Sequence, residues 1–492
     1  MRILLFCVAS LGIVACSGGG SGSDTSTPTT STPTSNSAPV TASANADQVA
    51  QVGYTFSYDA TQNSTTFSDA DGDTLSYSVS FDRVSGLSAS NGVISGTPDS
   101  DGDIIVTITA TDPDGLAVSD SFTISVTIDQ SAILTTFGGS IDLENLLNYA
   151  NQPVPDYITK VNDGGNPITD PGATLGRVLF YDTSLSIDGT VSCASCHEQA
   201  LAFSDPRTVS IGVESGLTRR HSMRLINTMF ADETGFFWDE RAVSHEAQES
   251  QPIQDHNEMG FSGQGGRPDL AVLIAQMEAT EYYEELFRFV YLDPTITEER
   301  IQLALAQFTK SIHSFDSRFD TGRAQVANNN VNFPNFTASE NAGKTLFLRA
   351  PGNGGAGCNA CHRAPEFDIA PNSGQNGVFT EAGSLTTFDL TNTRAPTLRD
   401  LMDPSGASNG PFMHDGSLVT LREVIDHYDS ITEPTSEPPL SDFRASLDNR
   451  LNPGGNPQRL NLTETEKQDL EAFLLTLSGT NVYSDPKWSD PF

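Results

Sequence analysis

The pentapeptide Cys-x-x-Cys-His occurs twice in this chain, as Cys193-Ala194-Ser195-Cys196-His197 and as Cys358-Asn359-Ala360-Cys361-His362. That spacing is the one used for covalent c-type haem attachment. Each sulfur adds to a vinyl group of the porphyrin, and the adjacent His supplies the proximal nitrogen to iron. With 6 Cys and 8 His among 492 residues, chance would give one such pentapeptide with a probability on the order of 10⁻³. A redox Cys-x-x-Cys pair or a zinc knuckle requires no His directly after both pairs. The expectation is a dihaem protein with two haem-centred cores, its irons held by His197 and His362.

Four of the six cysteines are thereby used, leaving Cys7 and Cys16. Residues 1–15 carry Arg2 and then the apolar run Ile3 to Ala9, which reads as a secretory signal too short to span a bilayer permanently. Its end, Ile13-Val14-Ala15-Cys16, resembles the lipobox of bacterial lipoproteins. That resemblance implies lipidation at Cys16 and removal of Cys7, whereas ordinary cleavage near Ala15 would use the same small residues. An exported protein, anchored by lipid and facing the periplasm or cell surface, is the expectation. The formal charge of −37 speaks against nucleic acid as a partner, since phosphate binding needs a basic patch. It suits solubility and the steering of a basic redox partner.

Residues 16–37 are nearly all Ser, Gly, Thr and Pro and read as a flexible tether. Residues 38–130 switch to period-two alternation, clearest at Thr55–Tyr58, Leu75–Val79, Ile104–Ile108 and Phe122–Val126, with turn signals such as Asp71-Gly72 and Asp114-Gly115 between them. This argues a β-sandwich, and Gly92 to Pro98 resembles cadherin-like Ig domains. Asp69, Asp71 and Asp73 offer oxygens suited to Ca²⁺, although such turns commonly hold no metal. Helical spacing then appears at Ile141–Ala150, Ala173–Tyr181, Pro268–Ala279 and Glu298–Phe315, and a Thr463/Glu466 capping box opens a last helix. The fold expected is therefore an all-β Ig-like sandwich followed by a mostly α region of two cytochrome c-like domains, 131–335 and 336–492.

Around the haem motifs the chain resembles the bacterial dihaem cytochrome c peroxidase family, which includes the MauG group. The markers are Arg220 to Asn227, Phe237-Trp238-Asp239-Glu240-Arg241, Gln248, Pro252, Glu258-Met259-Gly260, Arg394 to Arg399 and Phe412-Met413-His414-Asp415-Gly416. The resemblance implies that hydrogen peroxide reacts at the haem of His197, with Gln248 and Glu258 on its distal side and Trp238 between the haems. A carboxyl there can carry a proton from the inner to the outer peroxide oxygen, and the Gln amide can hold the peroxide without titrating. Electrons would come from a small c-type cytochrome or copper protein. In the MauG reading, the oxidising power is turned on residues of a partner protein.

Four positions depart from the family pattern or vary within it. The His that blocks the peroxide iron in many members is matched by Val213, which cannot ligate. His221 stands where the family has an Asn serving an interhaem Ca²⁺, and Glu240 replaces a usual Gly. The second haem takes a Met as sixth ligand in peroxidases and a Tyr in the MauG group, and that segment aligns on Tyr428. His427 and Met413 remain alternatives, and a helix turns adjacent side chains in different directions, so only one of His427 and Tyr428 can face iron.

Overall fold

The computed structural model describes residues 35–232, 235–384 and 386–492. The segment read as a signal, with Cys7, and nearly all of the segment read as a tether, with Cys16, lie outside the described residues. Nine strands come first: β1 (Val40–Thr41), β2 (Gln48–Gln51), β3 (Phe56–Asp59), β4 (Phe67–Ser68), β5 (Ser76–Phe81), β6 (Leu87–Ser90), β7 (Val93–Gly96), β8 (Gly102–Thr111) and β9 (Ala117–Thr127). One sheet runs β2-β9-β8-β5 and a second β3-β7-β6, while β1 pairs with β4. Alternation along β8 decides its faces: Ile104, Val106, Ile108 and Ala110 are buried and Ile105 is exposed. With Phe122, Ile124, Val126 and Ile94 they form the sandwich core. Burying each larger side chain contributes about 1.5–3 kcal/mol.

The expected Asp69, Asp71 and Asp73 trio needs correction. Asp69 and Asp73 converge with Asp112, from the β8–β9 turn, to within 4.8 Å. The Asp71 carboxylate instead accepts the Ser37 amide at 2.7 Å.

Twelve helices follow among the described residues: α1 (Ser131–Phe137), α2 (Asp170–Tyr181), α3 (His245–Glu249), α4 (Gln251–Gln254), α5 (Leu270–Glu278), α6 (Glu281–Tyr291), α7 (Glu298–Lys310), α8 (Arg318–Arg323), α9 (Ala338–Leu348), α10 (Leu421–Asp429), α11 (Leu440–Ser446) and α12 (Glu464–Leu474). At α12 the capping box forms, with the Glu466 amide donating to Thr463 Oγ1 at 3.3 Å and the Thr463 amide to Glu466 Oε2 at 2.8 Å. Helical spacing misleads at Ile141–Ala150, where no helix forms. There, side chains capture the backbone donors: Gln130 takes the Leu143 amide, Asp142 that of Glu144, and Asp170 those of Tyr149 and Ala150. The helix expected over Glu298–Phe315 stops at Lys310, whose ammonium is drawn to the carbonyls of Asp163 and Asn166.

Two apolar cores organise the helical region. In the first, α2 crosses α7 at Gly176, where a β-carbon would collide with the Ala304 carbonyl. In the second, α9 crosses α12 at Gly343, where it would strike the Asp469 carbonyl. Val482 and Trp488 return to the first core. A fully buried bidentate pair, Arg399 to Asp320 with both contacts at 2.9 Å, accepts Tyr157 on the same carboxylate and so links segments of both halves. The sandwich is tied on by α6. Glu285 accepts the first amides of α1, and one turn on Arg288 lies 3.9 Å over the Tyr54 ring. Among the described residues no helix is long and apolar enough to cross a membrane.

Candidate active site

Each haem motif folds as a single tight turn, Cys193–Ser195 and Cys358–Ala360, in which the second Cys amide donates to the first Cys carbonyl at 3.1 Å. His197 then donates from Nδ1 to the Phe203 carbonyl at 3.1 Å, which makes Nε2 the ring atom suited to a metal. Burial lowers its pKa, which favours the neutral ring that ligation requires. Phe180, at the end of α2, packs 6.5 Å from that ring. Burial brings His362 down to about 4, helped by Arg450.

Glu258 follows α4. Its carbonyl accepts the Val213 amide at 3.0 Å, so the loop closed by the Ile211–Leu217 bridge lies directly on the Glu258 segment. Val213 is buried there. Burial, reinforced by the Asp255 carboxylate and opposed by Arg241, pushes the Glu258 carboxyl up to about 7. It lies within electrostatic reach of Cys193 and Cys196. Gln248, on α3, lines a separate small cavity of about 40 Å³ together with Phe236, Phe237, His245, Arg224 and Arg394. Glu258 does not line it.

His221 is unsuited to replace a blocking ligand: its Nδ1 bonds the Arg207 carbonyl at 3.0 Å and its Nε2 lies 3.5 Å from Ser204 Oγ. The glycine expected at position 240 is now intelligible. Glu240 sits at φ 55°, a left-handed conformation that glycine adopts at least cost. Trp238 is buried, donates from Nε1 to the His221 carbonyl at 2.8 Å, and accepts the amides of Thr393 and Arg394 on its own carbonyl.

The second motif opens on a cavity of about 540 Å³ lined by Cys358, Cys361, His362, Met413, Tyr428 and Trp238, with Leu470 among its apolar walls. Arg224 also lines it, and its buried Nε has no hydrogen-bond partner among the described residues. A haem fits these residues: vinyl-reactive sulfurs, an imidazole, an apolar wall and a buried cation suited to a propionate. On α10 the two adjacent candidates separate. Tyr428 lines the cavity, whereas His427 does not and gives its Nε2 to the Asn376 carbonyl at 3.0 Å. Burial raises the Tyr428 hydroxyl, so it stays neutral unless a cation faces it. Arg224 and Asn376 carried no recognisable role in sequence; Asn376 lies in an Asn/Ser/Gly stretch that reads as a turn.

A family model described as di-haem cytochrome c peroxidase matches residues 170–327, and an Ig-domain model matches residues 38–127. The methylamine utilization protein MauG of Methylophilus methylotrophus is 32% identical over 323 residues, which are 64% of this chain and 84% of that protein. The cytochrome c551 peroxidase of Nitrosomonas europaea is 29% identical over 52% of this chain and 71% of its own. A solved MauG-like protein associated with microbial copper homeostasis superposes with a TM-score of 0.54 at 29% identity, covering 69% of this chain and 99% of that one. Two covalently bound c-type haems and an oxidoreductase activity toward peroxide come with this membership. The chain belongs to the di-haem cytochrome c peroxidase and MauG family.

Proposed function

We propose that this protein reduces hydrogen peroxide to water at the His197 site, with Glu258 as proton shuttle and electrons from a small c-type cytochrome or copper protein. The bound haems supply the two-electron reduction of peroxide and the storage of oxidising equivalents. Glu258 accepts the proton of the inner peroxide oxygen and returns it to the outer one, which leaves as water. Gln248 contributes a hydrogen-bond donor that does not titrate. Trp238, which lines the cavity of the second motif, would relay electrons from the His362 side, and Tyr428 in the same cavity would supply an oxygen ligand to the haem held there. What most supports this reading is the Glu258 carboxyl at about 7, since a shuttle works best when its two protonation states are close in energy at neutral pH. We also assign lipid attachment to Cys16, export to the periplasmic side, and a spacer role to the sandwich.

A second reading is favoured by Val213, which leaves no blocking His, and by Tyr428 in the second cavity. In it the same site oxidises residues of a partner protein at the expense of peroxide. Steady-state turnover of the holoprotein with peroxide and reduced cytochrome c tests the first reading. Rapid oxidation of the cytochrome supports it. Peroxide consumption with cytochrome oxidation no faster than the uncatalysed rate sinks it and leaves the second.

A further inference from the structure

Tyr428, His427 and Met413 are the candidates for the sixth position of the second haem, and one residue touches all three. The main-chain carbonyl of Asn376 accepts His427 Nε2 at 3.0 Å. Its side-chain Nδ2 donates to Met413 Sδ at 3.3 Å, and the same side chain lies in hydrogen-bonding reach of the Tyr428 hydroxyl. The amide cannot be read the other way round. Its Oδ1 accepts the Val378 amide at 3.0 Å, so Nδ2 is the face turned toward Met413 and Tyr428. The loop is also held in place at its next residue. Gly377 has φ 96°, and a β-carbon there would press on the His427 ring and Ile431. Replacing Gly377 would therefore disturb the very contact that keeps His427 away from the cavity.

We infer that Asn376 is the positioning residue that selects Tyr428 as sixth ligand, by holding the Met413 sulfur and the His427 imidazole away from the iron. Met413 and Tyr428 line the same cavity, and they pull the metal in opposite directions. A thioether favours the ferrous state, whereas an oxygen anion favours ferric and higher states. The sulfur is a weak acceptor, and a hydrogen bond to it both orients it and occupies electron density that iron would otherwise receive. His427 is restrained by main chain, so side-chain substitution at position 376 frees Met413 alone. The inference rests on Tyr428 being the ligand in the resting enzyme.

The test uses the dihaem holoprotein and reads the second haem by ferric optical spectrum, electron paramagnetic resonance and potentiometric titration. Asn376→Leu removes the donor to Met413. The expected result is a thioether-to-iron charge-transfer band, a changed low-spin signal and a positive shift of the midpoint potential. Asn376→Leu combined with Met413→Leu should abolish that charge-transfer band, and Met413→Leu alone should leave the wild-type spectrum unchanged. If Asn376→Leu loses haem or fails to fold, Asn376→Ala removes the donor without adding bulk or charge, and should give the same shift. Wild-type spectrum and potential in the Asn376 variants would overturn the inference, as would a changed spectrum in Met413→Leu alone. Tyr428→Phe separates the two failures. If it alters the spectrum while the Asn376 variants do not, only the role of Asn376 falls. If it alters nothing, ligation by Tyr428 falls as well.

Discussion

The indole Nε1 of Trp238 donates to the main-chain carbonyl of His221 at 2.8 Å, and the amide of His221 donates in turn to the His414 carbonyl at 2.8 Å. The Trp238 and His414 rings meet edge to face at 6.2 Å. Two hydrogen bonds and one ring contact thus fix the orientation of an indole that lines the second haem cavity.

Trp238→Phe keeps a ring but leaves the His221 carbonyl without that donor. The expected loss is about 1–3 kcal/mol, read as a lower Tm with both haems attached. Stopped-flow spectra should also show slower electron transfer from the His362 haem to the peroxide site. An unchanged transfer rate would leave Trp238 as a packing anchor only.

Because Val213 cannot ligate iron, the fully oxidised protein should turn over without prior reduction, with a high-spin ferric signal from the His197 site. Val213→His should convert that signal to low-spin and make activity depend on reduction of the second haem. Only low-spin signals in the oxidised wild type, with activity appearing after partial reduction, would refute this.

As the proposed proton shuttle, Glu258 would have to begin as a carboxylate to accept the peroxide proton. Its raised pKa places that requirement in the neutral range, so the rate of the peroxide step should be low in acid and rise through about pH 7. Glu258→Gln should abolish this inflection and lower the rate by about 10²–10⁴ while haem content stays the same. A retained inflection would assign the proton transfer to another group.

Asp320 has its pKa lowered; burial works against this, but the Arg399 charge and the hydrogen bonds it receives outweigh burial. A depressed carboxyl stabilises the fold above its ordinary value of 3.8, and the benefit is lost as pH falls from there through the folded value. Arg399→Met leaves that carboxylate buried without its cation and should cost about 3–5 kcal/mol near neutrality. The sign of the pH dependence should also reverse, because ionising an unpaired buried acid is unfavourable. Thermal unfolding of both proteins between acid and neutral pH measures this directly.

The chemistry of attachment was written in contiguous residues. Cys193, Cys196 and His197 act within one turn, so their role needs no partner from elsewhere. The strands around Ile104–Ile108 and Phe122–Val126, and the helices α2, α5 and α12, were equally legible, because period and capping are local properties. Ile141–Ala150 shows the limit of that logic. Its apolar spacing is helical, yet Gln130 and Asp170, from outside the segment, take amides that a helix would have needed.

By itself, then, the sequence determined two haem attachment turns and a sandwich ahead of them. It could not set the pKa of Glu258, which depends on burial and on Asp255. Nor could it choose between His427 and Tyr428, adjacent on one helix. Only the fold shows that the carbonyl of Asn376, about fifty positions earlier in the chain, meets the His427 imidazole while Tyr428 lines the cavity. The Asp112 carboxylate likewise joins Asp69 and Asp73 only across the folded sandwich. Hydrogen bonds and electric fields act through space over a few ångströms, and only the tertiary structure decides which residues lie within that distance.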